Sequence, residues 1–248
     1  MTHRSEKGPA TGTATTLAGS HQLHYLPWLR YFEKIARSDV FVVLDTIQYN
    51  KNGWQNRNKV KTQAGATILT VPVHASLGVC LSEVRIDTTT RWAGKHWATI
   101  QQSYCRCPFF ADHAGFLEDT YSRSWSHLNA LNRHMLAYFL GALGIATTVC
   151  YASELPVPGN ATERLVNLLK AVGAGRYYTG AYALEQYLDA NLLAEAGIEL
   201  IIQKWSSPVY PQAHGIFIPD LSIIDLLMNC GPASLDILLG AAKGGTNA

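Results

Sequence analysis

Apolar positions along the chain change their spacing several times, and each change marks an element. Trp28, Tyr31, Phe32 and Ile35 recur at helical intervals, which predicts one core-facing stripe. Pro27 suits the first turn of such a helix, where a missing N–H costs nothing. Val40 to Leu44 is an unbroken apolar run, the pattern of a strand buried on both faces. With a strand predicted over Ala14–Gly19, this opening reads as strand, helix, strand. Thr67–Val73 and Ser82–Ile86 predict two more strands, and Pro72 places the first at an edge or a strand end. Helices are predicted over Arg91–Tyr104, His113–Tyr121 and Ser126–Leu143. In the last, Leu128, Leu131, Met135, Tyr138, Phe139 and Ala142 form a stripe, Ser126 offers a cap and Gly144 a stop. Strands over Thr147–Ala152, Tyr177–Thr179 and Ile198–Gln203 then alternate with helices. The helices are Glu163–Val172 (capped by Thr162), Leu184–Ala196 and Ser222–Asn229. This alternation predicts an α/β fold: a mainly parallel, Rossmann-like sheet with flanking helices and a helix-rich middle segment over 91–143. Residues 14–242 are expected to form one domain between a disordered tail (1–13) and a loose C-terminal tail (243–248).

Composition narrows the function classes. Hydrophobic residues make up 48% of the 248, enough for a sizeable core, and charged residues only 15%. That is well below the usual quarter, which argues against a coiled coil or a disordered regulator. The formal charge is +2, without a lysine or arginine block. Nucleic acid is therefore not an expected partner, because backbone binding needs clustered cations. The longest apolar tract, Ala137–Cys150, is short and broken by glycine, so no membrane partner is expected. Five cysteines without a scaffold spacing, and no signal-peptide pattern, predict a reducing, cytoplasmic setting.

The chemistry-bearing residues concentrate in two loops that should share one sheet edge. Ligands of such strand–helix–strand units bind at the carboxyl ends of the strands. His21, Gln22 and His24 form the first loop. The two imidazoles suit a base and an orienting donor, or a pair of metal ligands; the plainer alternative, strongest for His24, is a solvated loop histidine. Asp45 closes the apolar run of the second strand, where a carboxylate is costly unless paired or solvated. It can orient His21, hold a substrate amine or hydroxyl, or simply cap a turn. Gln48, Asn56, Arg57 and Asn58 follow, a set that can read a polar ligand, with Arg57 able to fork onto a phosphate or carboxylate. Near the C-terminus His214 precedes a helix in which Asp225 and Asn229 lie four apart on one apolar face, where each must find a partner. The backbone of the preceding loop, or a side chain of the two central loops, is the expected partner of Asp225. GxGxxG, GxxxxGK[ST] and GxSxG patterns are absent, and Cys105-Arg106-Cys107 has no second cysteine pair at zinc spacing. No metal and no cofactor are expected.

The stretch HQLHYLPWLRYFEKIARSDVFVVLDTIQYNKNGWQNRNKVK resembles the WbqC-like proteins. So do LTVPV, WAGKHWATIQQSYCRCPFF and YPQAHGIFIPDLSIIDLLMNCGP, and the resemblance spans about residues 18–235. The chain departs from the family pattern in carrying Leu23 after Gln22 and Arg30 before Tyr31-Phe32. Members occur in clusters for surface-polysaccharide and natural-product assembly. The resemblance implies transfer of an acyl or aminoacyl group, glycyl for example, to an amine such as that of an amino sugar. It carries over His21, Gln22, Asp45, Gln48, Asn56, Arg57, Asn58, His214, Asp225 and Asn229 as matching positions without fixed roles. The expected mechanism has His21 as base, Asp45 orienting it or the amine, and Gln22 with Asn56 or Asn58 polarising the donor carbonyl. A small-molecule amine is the expected acceptor, and a thioester on a carrier protein or coenzyme A the expected donor. The alternatives are an ATP-dependent enzyme of nucleotidylyl-transferase type, or a non-catalytic sugar-binding or scaffold subunit.

Overall fold

The computed structural model describes residues 15–240; the two predicted tails lie outside them. Strand β1 (Thr16–His21) leads through helix α1 (Leu29–Ala36) to β2 (Val40–Val43). A hairpin, β3 (Arg57–Thr62) and β4 (Gly65–Thr70), and a short antiparallel pair, β5 (Val73–His74) and β6 (Arg85–Ile86), come next. Three helices fill the middle: α2 (Trp92–Tyr104), α3 (Phe110–Ser122) and α4 (Leu128–Leu143). The second half runs β7 (Thr148–Tyr151), α5 (Ala161–Ala171), β8 (Ala174–Thr179), α6 (Ala181–Gln186), α7 (Ala190–Glu195) and β9 (Glu199–Ile202). Helices α8 (Ile223–Cys230) and α9 (Ser234–Leu239) close it.

Five strands form an all-parallel sheet in the order β7-β2-β1-β8-β9. The chain builds outward from β1 to β2 and β7, then returns to the other side of β1 for β8 and β9. The strand order thus reverses beside β1, and the crevice outside the carboxyl ends of β1 and β8 is where such sheets bind ligands. His21 is the last residue of β1.

Alternation along β1 assigns its two faces. Ala18 packs with Leu165, Leu169, Tyr177 and Leu193 on the α5 and α7 side. Gly19 faces α1: a Cβ there would stand 2.5 Å from Ser38 Oγ and 3.0 Å from the Phe41 ring, so this crossing of strand and helix end admits only glycine. His21, two residues on, points to the same side as Gly19. The larger core lies on that side, where Phe32, Ile35 and Phe41 meet residues of α2, α4 and α8.

Several elements differ from the sequence expectation. Arg57–Thr62, read as polar loop, is a strand, with Asn58 and Val60 on its buried face. The strand expected over 67–73 ends at Thr70, before Pro72. Within Ser82–Ile86, Ser82 and Glu83 belong to a helical turn and the strand is only Arg85–Ile86. Helix α1 starts after Pro27, whose carbonyl instead accepts from Ile223 N. Ser126 and Thr162 are not caps: His127 and Asn160 occupy those positions, and Thr162 Oγ1 donates to the Tyr187 carbonyl. The helix expected over 184–196 is two, broken at Asp189, whose carboxylate caps the second by accepting from Asn191 N.

Candidate functional site

The carboxyl end of β1 opens onto a cluster of rings. The His21 and His24 centroids are 4.6 Å apart edge to face, and the Tyr31 ring lies 5.2 Å from His21 and 5.6 Å from His24. Tyr31 comes from the first turn of α1. Lys34, one turn later on the same face, reaches under the strand end so that its Nζ donates to the Ser20 carbonyl at 3.4 Å. Lys34 is buried, and burial pushes its amine down to about 8, with Glu33 opposing and Arg30 adding to the shift.

That amine sets the state of the histidines. Burial, then the Lys34 charge and then His24, hold His21 well below the ordinary histidine range, against a small opposing contribution from the Gln22 carbonyl. Burial and then Lys34 bring His24 down to about 3. Both imidazoles are neutral at physiological pH. His21 Nδ1 lies 3.4 Å from the Gln22 carbonyl oxygen, the acceptor that favours the Nδ1–H tautomer and leaves Nε2 free to take a proton. His21 keeps partial solvent access, whereas His24 is buried. Two polar atoms here are buried without a partner, His24 Nδ1 and the Tyr31 hydroxyl. Four further atoms of this kind, on Arg57, Asn129, Asn132 and Ser207, lie elsewhere among the described residues.

Gln22 extends the cluster. Its Oε1 accepts from Gln55 Nε2 at 2.8 Å, which leaves the Gln22 amide N–H groups as the donors of this side chain. Gln55 is fixed in turn, its Oε1 accepting from Asn50 N and its carbonyl from Tyr25 N and Asn132 Nδ2. Leu26, between the histidine loop and α1, sits at φ +45, a left-handed backbone unusual for leucine, and its carbonyl accepts from Asn58 Nδ2 at 2.7 Å.

The other expected residues separate into groups. Asp45, wholly buried, accepts from the backbone N and the hydroxyl of Ser153 at 2.9 and 2.7 Å, so its bonds tie the end of β2 to the segment after β7 and do not reach His21. Asn56 donates its amide to the Val71 carbonyl, and Asn58 to Leu26, so neither amide is free to polarise a donor carbonyl. Gln48 is exposed, paired through its backbone with Cys80. Arg57 donates to the Asn52 carbonyl and lies over the Trp54 ring at 5.7 Å, with its Nε unpartnered.

His214, Asp225 and Asn229 form a second polar cluster around α8. Asp225 is buried and satisfied as expected, but by unexpected partners: the hydroxyls of Tyr104 and Tyr210, each donating at 2.9 Å. Burial is the main cause of its raised pKa, opposed by those two bonds. Asn229 donates to the Asp225 carbonyl, and its Oδ1 accepts from Ala213 N, holding the loop that carries His214. His214 Nε2 meets the Ser103 carbonyl at 2.6 Å. Lys61, also buried, donates to Gln212 Oε1 and to the carbonyls of Gly215 and Ile216. This cluster closes a loop over β3 and α2, and its polar groups are engaged with one another.

Two of the five thiols, Cys107 and Cys230, are buried. Burial, followed by the Asp225 charge, pushes Cys107 and Cys230 up to about 11, so both are protonated at neutral pH. Among the described residues no three His, Cys, Asp or Glu side chains converge as metal ligands.

Lys34 and Tyr31 are the functional candidates that the sequence reading passed over. Both sit in the apolar stripe of α1, three residues apart, so the spacing alone could have paired them. An open depression of about 630 Å³ between α1 and β9 holds none of the expected site residues; of its two carboxylates, Glu33 and Glu199, Glu33 is already engaged by Tyr178, Gln203 and Arg37.

This chain is similar to a known protein along most of its length. An uncharacterised protein of Mycobacterium tuberculosis, Rv1507c, is 34% identical over 221 residues, covering 88% of this chain and 95% of its own. No solved structure gives a significant match. The profile of the WbqC-like protein family matches residues 22–237, from the first residue after β1 into α9. The chain belongs to the WbqC-like protein family.

Proposed function

We propose that the protein transfers an acyl or aminoacyl group from a thioester to the nitrogen of a small-molecule amine. The observation that carries this reading is the neutral, partly exposed His21 imidazole at the strand-order reversal, its Nε2 free of partners. Acylation of an amine needs a base that is not already charged. The amine nitrogen attacks the thioester carbonyl carbon and its proton passes to His21 Nε2. The tetrahedral intermediate then collapses with cleavage of the C–S bond, and the imidazolium returns the proton to the departing sulfur. Such general-base and general-acid help is worth typically ~10²–10⁴ in rate. The Gln22 amide, its Oε1 already engaged by Gln55, is the donor that this reading assigns to the developing oxyanion. Protonated Cys107 and Cys230 favour direct transfer over a cysteine-bound intermediate. Polysaccharide or natural-product assembly, in the cytoplasm, is the setting this reading implies; the unpaired thiols support it.

ATP-dependent nucleotidylyl transfer is a second reading. It draws on the same strand-order reversal, which nucleotide-binding α/β folds also use. Intact-mass analysis separates the two. The full chain is incubated with an amino sugar and either a glycyl thioester or ATP with free glycine. Acylated product from the thioester alone is the expected result. In that assay His21→Ala should lose ~10²–10⁴ of the rate with its melting temperature unchanged. Product that requires ATP would replace this reading with the second.

A further inference from the structure

The ring cluster continues away from His21 in one direction. From His24 the next ring is Trp28, 5.3 Å away, and from Trp28 the next is Trp54, 5.1 Å away. Trp28 and Trp54 are two walls of a cleft of about 250 Å³, completed by Arg30, Lys59 and Asp220. Lys59 Nζ lies 5.9 Å and the Arg57 guanidinium 5.7 Å from the Trp54 centroid. Arg57 and Lys59 alternate along β3, which puts them on one side of the strand. Among the described residues no carboxylate lies within ion-pair distance of Arg30, Arg57 or Lys59. Asp220 is the one acid in the cleft lining. Arg57 Nε is also a buried donor without an acceptor.

We infer that this cleft is an anion site for the phosphate ester of a pantetheine arm, placed to deliver the thioester at the far end of that arm to His21. Arg30 and Lys59 in the lining, and Arg57 beside Trp54, lack carboxylate partners and offer donors for a phosphate, which arginine meets with a planar fork. The indole faces give the branched, apolar pantoyl portion a surface to cover. The path from Trp54 to His21 runs over three ring-to-ring steps of 5.1, 5.3 and 4.6 Å, a span that an extended pantetheine arm covers. The amide groups of the arm would pass the partly exposed Gln22 side chain. The inference deepens the transfer reading and rests on it for the arm; the anion site stands on the cleft alone.

The test is binding to the full chain, followed by calorimetry and tryptophan fluorescence, with 4′-phosphopantetheine and with pantetheine, which lacks the phosphate. The phosphate form should bind at least tenfold more tightly, with an advantage that shrinks as ionic strength rises. Lys59→Glu should abolish that advantage while leaving pantetheine binding and melting temperature as they were. If Lys59→Glu fails to fold, Lys59→Gln and the salt dependence of the natural protein give the same reading. Equal affinity for the two compounds, or tighter binding of ATP than of either, overturns the inference. Coenzyme A and a phosphopantetheine-bearing carrier protein are then compared: either one binding as tightly as the free arm supports the site and identifies its source. The transfer reading fails separately. Turnover of a phosphate-free N-acetylcysteamine thioester alongside equal binding of the two arms sinks the cleft and keeps the chemistry. Selective binding of the phosphate form without turnover of any thioester does the reverse.

Discussion

At the scale of single residues, the site is a contest between burial and charge. Lys34 costs stability by being buried, and its effect is electrostatic: it keeps a cation under two imidazoles and lowers the pKa of both. Replacing Lys34 with methionine keeps the length of the side chain and removes the charge. The His21 imidazole should then titrate at a higher pH, because the second-largest cause of its depression has gone while burial remains. NMR titration of its ring protons measures this directly, and the acid limb of the rate profile should move up with it. An unchanged His21 titration in Lys34→Met would separate Lys34 from the site's electrostatics. Asp45 teaches the opposite lesson. A carboxylate at the end of a central strand invites a catalytic role, yet Ser153 accounts for its hydrogen bonds, so its position is explained by joining β2 to the chain after β7.

At the scale of elements, α8 shows how one helix holds a loop. Asp225 collects the Tyr104 hydroxyl from the end of α2 and the Tyr210 hydroxyl from the loop before α8, and Tyr104 in turn accepts from Lys61 N in β3. Asp225→Leu leaves two buried hydroxyls without their acceptor, at roughly 1–3 kcal/mol each, whereas Asp225→Asn keeps an acceptor and should cost less. Thermal unfolding should rank the two in that order; equal losses would mean that packing volume, not hydrogen bonding, is what the position supplies. The same scale shows what the sequence could and could not disclose. The stripe of α1 and the apolar run of β2 stated their elements outright, and with them the loop at the end of β1. Strand β3 stayed hidden because a buried position of its hairpin face is Asn58, satisfied by Leu26, so the alternation of two had no apolar signature. The division of α6 from α7 was hidden because no glycine or proline marks it, only an aspartate acting as a cap. Asn56 and Asn58 looked like ligand readers since a polar side chain bonded to backbone and one waiting for substrate are identical in sequence.

At the scale of the whole molecule, the buried histidines make stability depend on pH. His21, His24, His96 and His113 all have pKa values lowered chiefly by burial, His24 to about 3 and His96 to about 4. Below the ordinary histidine value near 6.5 the unfolded chain takes up protons that the native state refuses. Stability therefore rises with pH across the window from about 4 to about 6.5, and is lost as the pH falls through it. For His24 and His96, whose shifts are large, the slope approaches about 1.4 kcal/mol per pH unit each. Asp225 acts in the other direction: its raised pKa lets the native state hold a proton that the unfolded chain releases, so its contribution falls as pH rises above the ordinary carboxylate value. His134 is lowered by burial as well, so one carboxyl stands against five imidazoles and the histidines stay in control. The melting temperature should therefore drop steadily from pH 7 to pH 4.5, and His96→Gln, which removes one titrating ring, should flatten that drop. A melting temperature constant over this range would mean that acidification opens the ring cluster without unfolding the chain. The His21, His24 and Lys34 cluster would then be a locally mobile unit, and its protonation would appear in the rate profile alone.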